Sequence, residues 1–240
     1  VTVAVQILRR ASRDAEPHWE EFRVEADAGA NIISVLMAVR ERPVTAEGGA
    51  TTPVAYDASC LEDMCGACSM VINGRPRQAC STLVQHLEQP IRIEPLRKFP
   101  VVRDLVVDRS RALATLTRVK AWTDPGATDD PGGGPPVAPE LQQQLYRFSR
   151  CFSCGICLEV CPIYRTDGEF IGAMAAGQAW RFNRTGGKNG IQGERAEFLA
   201  GPGHIGACDN DQSCQRSCPK EIPLAEAIGD LKREAAWGWF

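Results

Sequence analysis

Apolar and polar residues alternate strictly at the start of the chain. Val3, Val5 and Ile7 fall on one face of Val1 to Leu8, and this period of two predicts a half-buried strand. A second alternating segment, Trp19 to Ala26 with Phe22 and Val24 in step, predicts a partner strand and a hairpin around the loop containing Pro17. The period then changes. Ile32, Val35, Leu36 and Val39 recur at helical spacing behind Asn31, a residue type that caps helices, so a helix through about Glu41 is expected to cover the sheet. MVINGRPRQAC, ending at Cys80, reads as a strand, an Asn73-Gly74 turn of the two-residue hairpin kind, and a returning segment. Ile91 to Pro95 supplies another short strand, and PVVRDLVVD at Pro100 to Asp108 runs into a helical stretch from about Arg109 to Trp122.

The pattern breaks at Thr123 to Pro139, where nine of seventeen residues are Gly or Pro, so this stretch is expected to be a linker or long surface loop. Beyond it, LQQQLYRFSRC, GEFIGAMAAGQAWRFNR, ERAEFLA and PLAEAIGDLKREAAW are spaced as helices. The expected fold class is therefore α+β. A β-grasp ferredoxin-like domain over residues 1–108 is followed by a connecting helix and linker over 109–138 and an α-helical domain over 139–240. Trp180 and Phe182 are expected in the helical core.

Composition narrows the function. A net charge of −3 with 24% charged residues leaves no electrostatic footprint for nucleic acid or an anionic membrane surface. The longest apolar stretch, roughly Phe170 to Trp180, is interrupted by Gln178 and too short to span a bilayer. Eleven cysteines could suggest a disulfide scaffold, but the number is odd and the start VTVAVQILRR lacks the basic-then-apolar pattern of a secretory leader. A reducing compartment is the expectation. There is no G-x-G-x-x-G after a strand, no P-loop and no evident nucleophile–base pair, so the chain carries no catalytic residues of its own. His18 and His86 read as surface residues.

The cysteines supply the chemistry. Cys60, Cys65, Cys68 and Cys80 are spaced C-x4-C-x2-C-x11-C, and the first three match plant-type [2Fe-2S] spacing, with small Gly66 and Ala67 where backbone amides must approach sulfur. Cys151 to Pro162 spells C-x2-C-x2-C-x3-C-P, in which the fourth cysteine of a bacterial ferredoxin run ligates the neighbouring cluster. The second run is Cys208 to Pro219, with Cys208, Cys214 and Cys218 in the first, third and fourth places and Asp211 in the second. Crossing the runs assigns Cys151, Cys154, Cys157 and Cys218 to a [4Fe-4S] cluster and Cys161, Cys208 and Cys214 to a [3Fe-4S] cluster. The alternative for the latter is that Asp211 holds a fourth iron through oxygen. Structural zinc also uses C-x2-C pairs, but has no use for a third cysteine at that spacing or for the prolines that follow. All eleven cysteines are consumed.

A C-x4-C-x2-C-x11-C domain followed by PVVRDLVVD, then C-x2-C-x2-C-x3-C-P and C-x5-C-x3-C-P-K, resembles the iron–sulfur subunit of succinate dehydrogenase and fumarate reductase over nearly the whole chain. The resemblance implies an electron carrier between a FAD-containing flavoprotein subunit and a transmembrane anchor that binds quinone, held peripherally on the cytoplasmic face of the inner (plasma) membrane. It implies that the [2Fe-2S] centre lies nearest the flavin and the [3Fe-4S] centre nearest the quinone, with Pro162, Trp180 and Lys220 as a quinone-side wall. The sequence departs from the family's usual quinone residues: Ile163 to Thr166 contain no tryptophan, and Asp209 stands where a histidine is common. The tail residues Trp237, Trp239 and Phe240 are expected to be covered by a partner. A freestanding polyferredoxin and the iron–sulfur subunits of other flavin dehydrogenases are the rival readings.

Overall fold

The computed structural model describes all residues except Ala28, 124–136, 186–189 and 238–240. Most of the expected linker, and Trp239 and Phe240 of the tail, lie outside the described residues, as does the Trp237 side chain. The chain forms two compact units, Val1–Arg109 with Phe152–Glu159, and Ser110–Cys151 with Val160–Phe240.

The first unit is built on strands β1 (Thr2–Arg9), β2 (His18–Glu25), β3 (Ser69–Ile72), β4 (Arg75–Gln78) and β5 (Ile91–Glu94), joined in the order β2-β1-β5-β3-β4. β1 pairs antiparallel with β2 and parallel with β5, which gives the mixed sheet of a β-grasp. Val3, Val5 and Ile7 are wholly buried, as the alternation requires. Helix α1 (Ile32–Glu41) packs Ile32, Ile33, Val35, Leu36 and Val39 into the same core. The Asn31 side chain accepts the Ser34 amide at 3.0 Å, satisfying one of the donors that a helix start leaves open. Asn73 and Gly74 both adopt positive φ, the backbone a two-residue hairpin between β3 and β4 needs.

A second hairpin, β6 (Val101–Arg103) with β7 (Val106–Val107), lies within PVVRDLVVD. Asp104 at its turn has φ +46 and is buried, and its carboxylate accepts Arg9 Nε at 3.0 Å, the Arg10 amide at 3.0 Å and the Ala55 amide at 2.9 Å. Arg9 also bonds Glu20 and the Thr52 carbonyl, so one buried ion cluster fastens the end of β1, the 52–55 loop and the hairpin. Removing the Asp104 carboxylate takes one of two counter-charges from buried Arg9 and leaves the Arg10 and Ala55 amides without their acceptor. Asp104→Ala is expected to lose about 3 to 5 kcal/mol of stability, read as a lowered midpoint in urea without a change of slope.

Phe152–Glu159, which contains the short helix α4 (Ile156–Glu159 after α2 and α3 below), belongs to the first unit although the sequence places it in the helical domain. The reason is local. The Glu159 carboxylate accepts the successive amides of Arg97 and Lys98 at 3.0 and 2.9 Å, and Gly155, at φ +84, lies against Phe99 with no room for a Cβ to spare.

The second unit contains α2 (Ser110–Arg118), α3 (Pro139–Ser149), α5 (Gly172–Arg184), α6 (Gly190–Ala200), α7 (Ser213–Arg216) and α8 (Leu224–Trp237). Helix α2 begins one residue later and ends earlier than periodicity suggests, and α5 begins at Gly172, where φ is +79, so that the GEFI segment before it is not helical. Helix α5 is buried continuously from Gly172 to Trp180, and small residues make this possible: a Cβ on Gly177 would lie 2.9 Å from Leu224 of α8. Trp180 stacks on Phe148 at 4.4 Å between ring centroids. Among the described residues, no helix is long and apolar enough to cross a membrane.

Candidate iron–sulfur centres

The Cys60–Cys68 loop wraps sulfur in backbone amides. Leu61, Asp63 and Gly66 all take positive φ, and alternating the backbone in this way turns successive N–H groups toward one point. Cys60 Sγ accepts the amides of Glu62 at 3.4 Å, Met64 at 3.3 Å and Cys65 at 3.3 Å, while Cys65 Sγ accepts those of Cys60 and Ala67 at 3.5 Å. The amides of Glu62 and then Met64 bring the Cys60 thiol down to about 7. Cys68 and Cys80 form the opposite pair, both buried, and the Ala79 amide donates to the Cys68 carbonyl at 3.1 Å. Burial pushes the Cys68 thiol up to about 11, and the adjacent Cys80 adds to the rise. Asn31, the cap of α1, donates to the Cys80 carbonyl at 2.9 Å and so ties this pair to the sheet domain.

The loop does not stand alone in the first unit. A Cβ on Gly66 would lie 2.7 Å from Cys154 Cβ, 2.8 Å from Cys154 Cα and 2.8 Å from the Phe152 ring, so the two cysteine loops meet at a glycine. Arg109 donates to the carbonyls of Gly66 at 2.7 Å and Ala67 at 3.0 Å. Sequence reasoning saw Arg109 only as the start of a helix. No spacing rule could have found its role.

In the second unit Cys161, Cys208 and Cys214 come together. Burial pushes the Cys214 thiol up to about 11, and the proximity of Cys161 and Cys208 raises it further. The Asn210 amide donates to Cys208 Sγ at 3.4 Å from a loop in which Asn210 and Gln212 both have positive φ. The Asp211 carboxylate is exposed and turned to its own loop, where Oδ1 accepts the Ser213 amide at 3.0 Å and also the Ser213 hydroxyl. Those bonds from Ser213 hold its pKa below the usual carboxylate range. An open cavity of about 730 Å³ borders Cys208, Asn210, Asp230 and Lys232.

Of the expected set Cys151, Cys154, Cys157 and Cys218, the middle two lie in the first unit and the outer two in the second. Pro162 is exposed, Lys220 is half-buried and Trp180 is 5% exposed, its indole N–H donating to Asp230 at 2.7 Å. Trp180 is thus a core residue that supports the cavity wall through Asp230. Among the described residues, no three His, Cys, Asp or Glu side chains converge as ligands of a single ion do. No iron of a [2Fe-2S] or cubane cluster takes more than two protein thiolates, so three need not converge on one point. Amide-wrapped thiols and small residues in the ligand loop fit a [2Fe-2S] cluster.

These features define a two-domain iron–sulfur protein. The family described as "2Fe-2S iron-sulfur cluster binding domain" matches residues 4–114, and that described as "4Fe-4S dicluster domain" matches residues 147–222. The chain is 46% identical over 235 residues to the succinate dehydrogenase iron-sulfur subunit of Bacillus subtilis, covering 97% of this chain and 92% of the relative. It is 30% identical over 244 residues to the fumarate reductase iron-sulfur subunit of Haemophilus influenzae, with the same coverage of 97% and 92%. A chain of the Mycobacterium smegmatis Sdh1 complex in the apo form shares the fold, with a TM-score of 0.81 at 23% identity over 99% of this chain and 97% of that one. This chain belongs to the family of iron–sulfur subunits of succinate dehydrogenase and fumarate reductase, and electron transfer is its role.

Proposed function

We propose that the chain relays electrons in a succinate:quinone oxidoreductase, between a FAD-containing subunit that handles succinate and fumarate and a transmembrane anchor where quinone binds. It would be held by those partners at the cytoplasmic face of the plasma membrane. Clusters bound here supply one-electron transfer. The chain's own residues hold them: Cys60, Cys65, Cys68 and Cys80 for [2Fe-2S], Cys151, Cys154, Cys157 and Cys218 for [4Fe-4S], and Cys161, Cys208 and Cys214 for [3Fe-4S]. The second of these sets rests on the cysteine spacing.

The observation that carries the reading is the meeting of Gly66 with Cys154, which brings the ligand loops of two proposed centres into atomic contact. Electrons then have a protein path from one to the next without any intervening side chain. In the second unit, the cavity bordering Cys208 supports a quinone-side assignment; Pro162, Lys220 and Trp180 are not among its lining residues, and Trp180 reaches it only through Asp230. Affinity purification of the tagged full chain from its native membrane is expected to bring down one flavoprotein and at least one membrane-spanning subunit, with spin-resonance signals from three distinct centres. A chain that purifies as a stable, active monomer would overturn the relay and favour a freestanding carrier.

A further inference from the structure

We propose that Arg109 is a positioning residue whose charge, set between the loops of two iron–sulfur centres, holds both at a higher reduction potential than their thiolates alone would allow. This rests on the cluster assignments above. Its guanidinium is half-buried and anchored on the carbonyls of Gly66 and Ala67, with a longer contact of 3.5 Å to that of Ser69. The first two carbonyls belong to the loop that carries Cys65 and Cys68 and the third to the first residue of β3, and Gly66 is the residue packed on Cys154.

The groups that act electrostatically on Arg109 are, in order, Cys154, Asp57, Cys68 and Cys65. Three of the four are proposed cluster ligands. Asp57 is exposed, so solvent screens it, and the thiolate-bearing clusters remain the principal negative charges that Arg109 faces. Burial depresses the Arg109 pKa, but guanidinium remains protonated in proteins, so the charge is permanent.

Adding one electron to a cluster makes it more negative by one charge. A fixed cation nearby stabilises that reduced form more than the oxidised one, and the potential rises. The same side chain has a mechanical part, since the planar fork spans successive carbonyls and keeps Gly66 seated against Cys154. Charge and geometry can be separated, because lysine keeps the first and loses much of the second.

The test is a spin-resonance potentiometric titration of the full chain in its complex, for wild type, Arg109→Gln and Arg109→Lys, with iron content measured on each. In Arg109→Gln, the [2Fe-2S] and [4Fe-4S] midpoints are both expected to fall. The centre on Cys161, Cys208 and Cys214 should stay where it was and serves as the internal reference. Arg109→Lys should restore most of the shift. If the glutamine variant loses a cluster while the lysine variant keeps both at wild-type potentials, the charge is again the cause. The proposal is overturned if the glutamine midpoints match wild type, if lysine falls as far as glutamine, if all three centres move together, or if both variants lose clusters. Wild-type protein without [2Fe-2S] and [4Fe-4S] signals would instead sink the cluster assignments.

Discussion

Gly66→Ala is expected to yield a chain that no longer retains its [2Fe-2S] centre through purification, with iron and sulfide per chain well below those of wild type. Gly66 sits at φ +72, where an L side chain costs roughly 1 to 2 kcal/mol. The steric clash costs more. The new Cβ would meet Cys154 Cα at 2.8 Å, and because that atom is backbone, no rotamer change can clear it. Either the Cys60–Cys68 loop or the Cys154 loop must move, and each carries proposed cluster ligands. The Gly66 carbonyl also accepts Arg109 at 2.7 Å and the Ser69 hydroxyl at 2.9 Å, so displacement spreads along the loop. Gly74→Ala is the control: its φ is +74, nearly the same strain, but nothing lies within 4 Å of the added atom. It should lose about 1 kcal/mol of stability and keep every iron. A Gly66→Ala protein with full iron and a wild-type spectrum would show that the contact between the loops does not matter.

Asp211→Cys is expected to convert the three-iron centre into a [4Fe-4S] centre. Three thiols, Cys161, Cys208 and Cys214, are gathered in the second unit, and Asp211 stands in the place of the missing one. Its carboxylate is engaged by Ser213, and oxygen is in any case a harder ligand than these irons favour. A thiolate at the same place completes the set. The three-iron signal of the oxidised protein should disappear, the potential of the centre should fall, and quinone reduction should slow while reduction of the flavin by succinate continues. Asp211→Asn keeps an acceptor for the Ser213 amide and should retain the three-iron signal, which separates loss of the turn from gain of a ligand. Absence of that signal from fully loaded wild-type complex would count instead for oxygen ligation of a fourth iron by Asp211.

The proposed ligand sets come from the sequence before any fold is known. Thiolate ligation imposes short, regular spacings, and the three runs show them without reference to their surroundings. The β1–β2 pairing, the Asn31 cap and the Asn73-Gly74 hairpin were equally legible, because each follows from a period or a backbone preference confined to a few neighbouring residues. Boundaries were less secure: GEFI reads as helix by spacing, but α5 begins only at Gly172, whose φ is +79.

The sequence by itself determined that a β-grasp would precede a helical domain, and its cysteine spacings proposed which residues hold iron and in how many centres. These are properties of side-chain chemistry and local periodicity. Only the tertiary structure decided that Phe152–Glu159 joins the first unit, that Gly66 meets Cys154, and that Arg109 lies near Cys65, Cys68 and Cys154. Arg109 reaches Gly66 across 43 positions, Glu159 reaches Arg97 across 62, and Arg9 reaches Asp104 across 95. No period links residues so far apart. For Arg9 with Asp104 and Arg109 with Gly66, what selects the pair is the need of a buried or half-buried charge and carbonyl for a partner once the fold has closed over them.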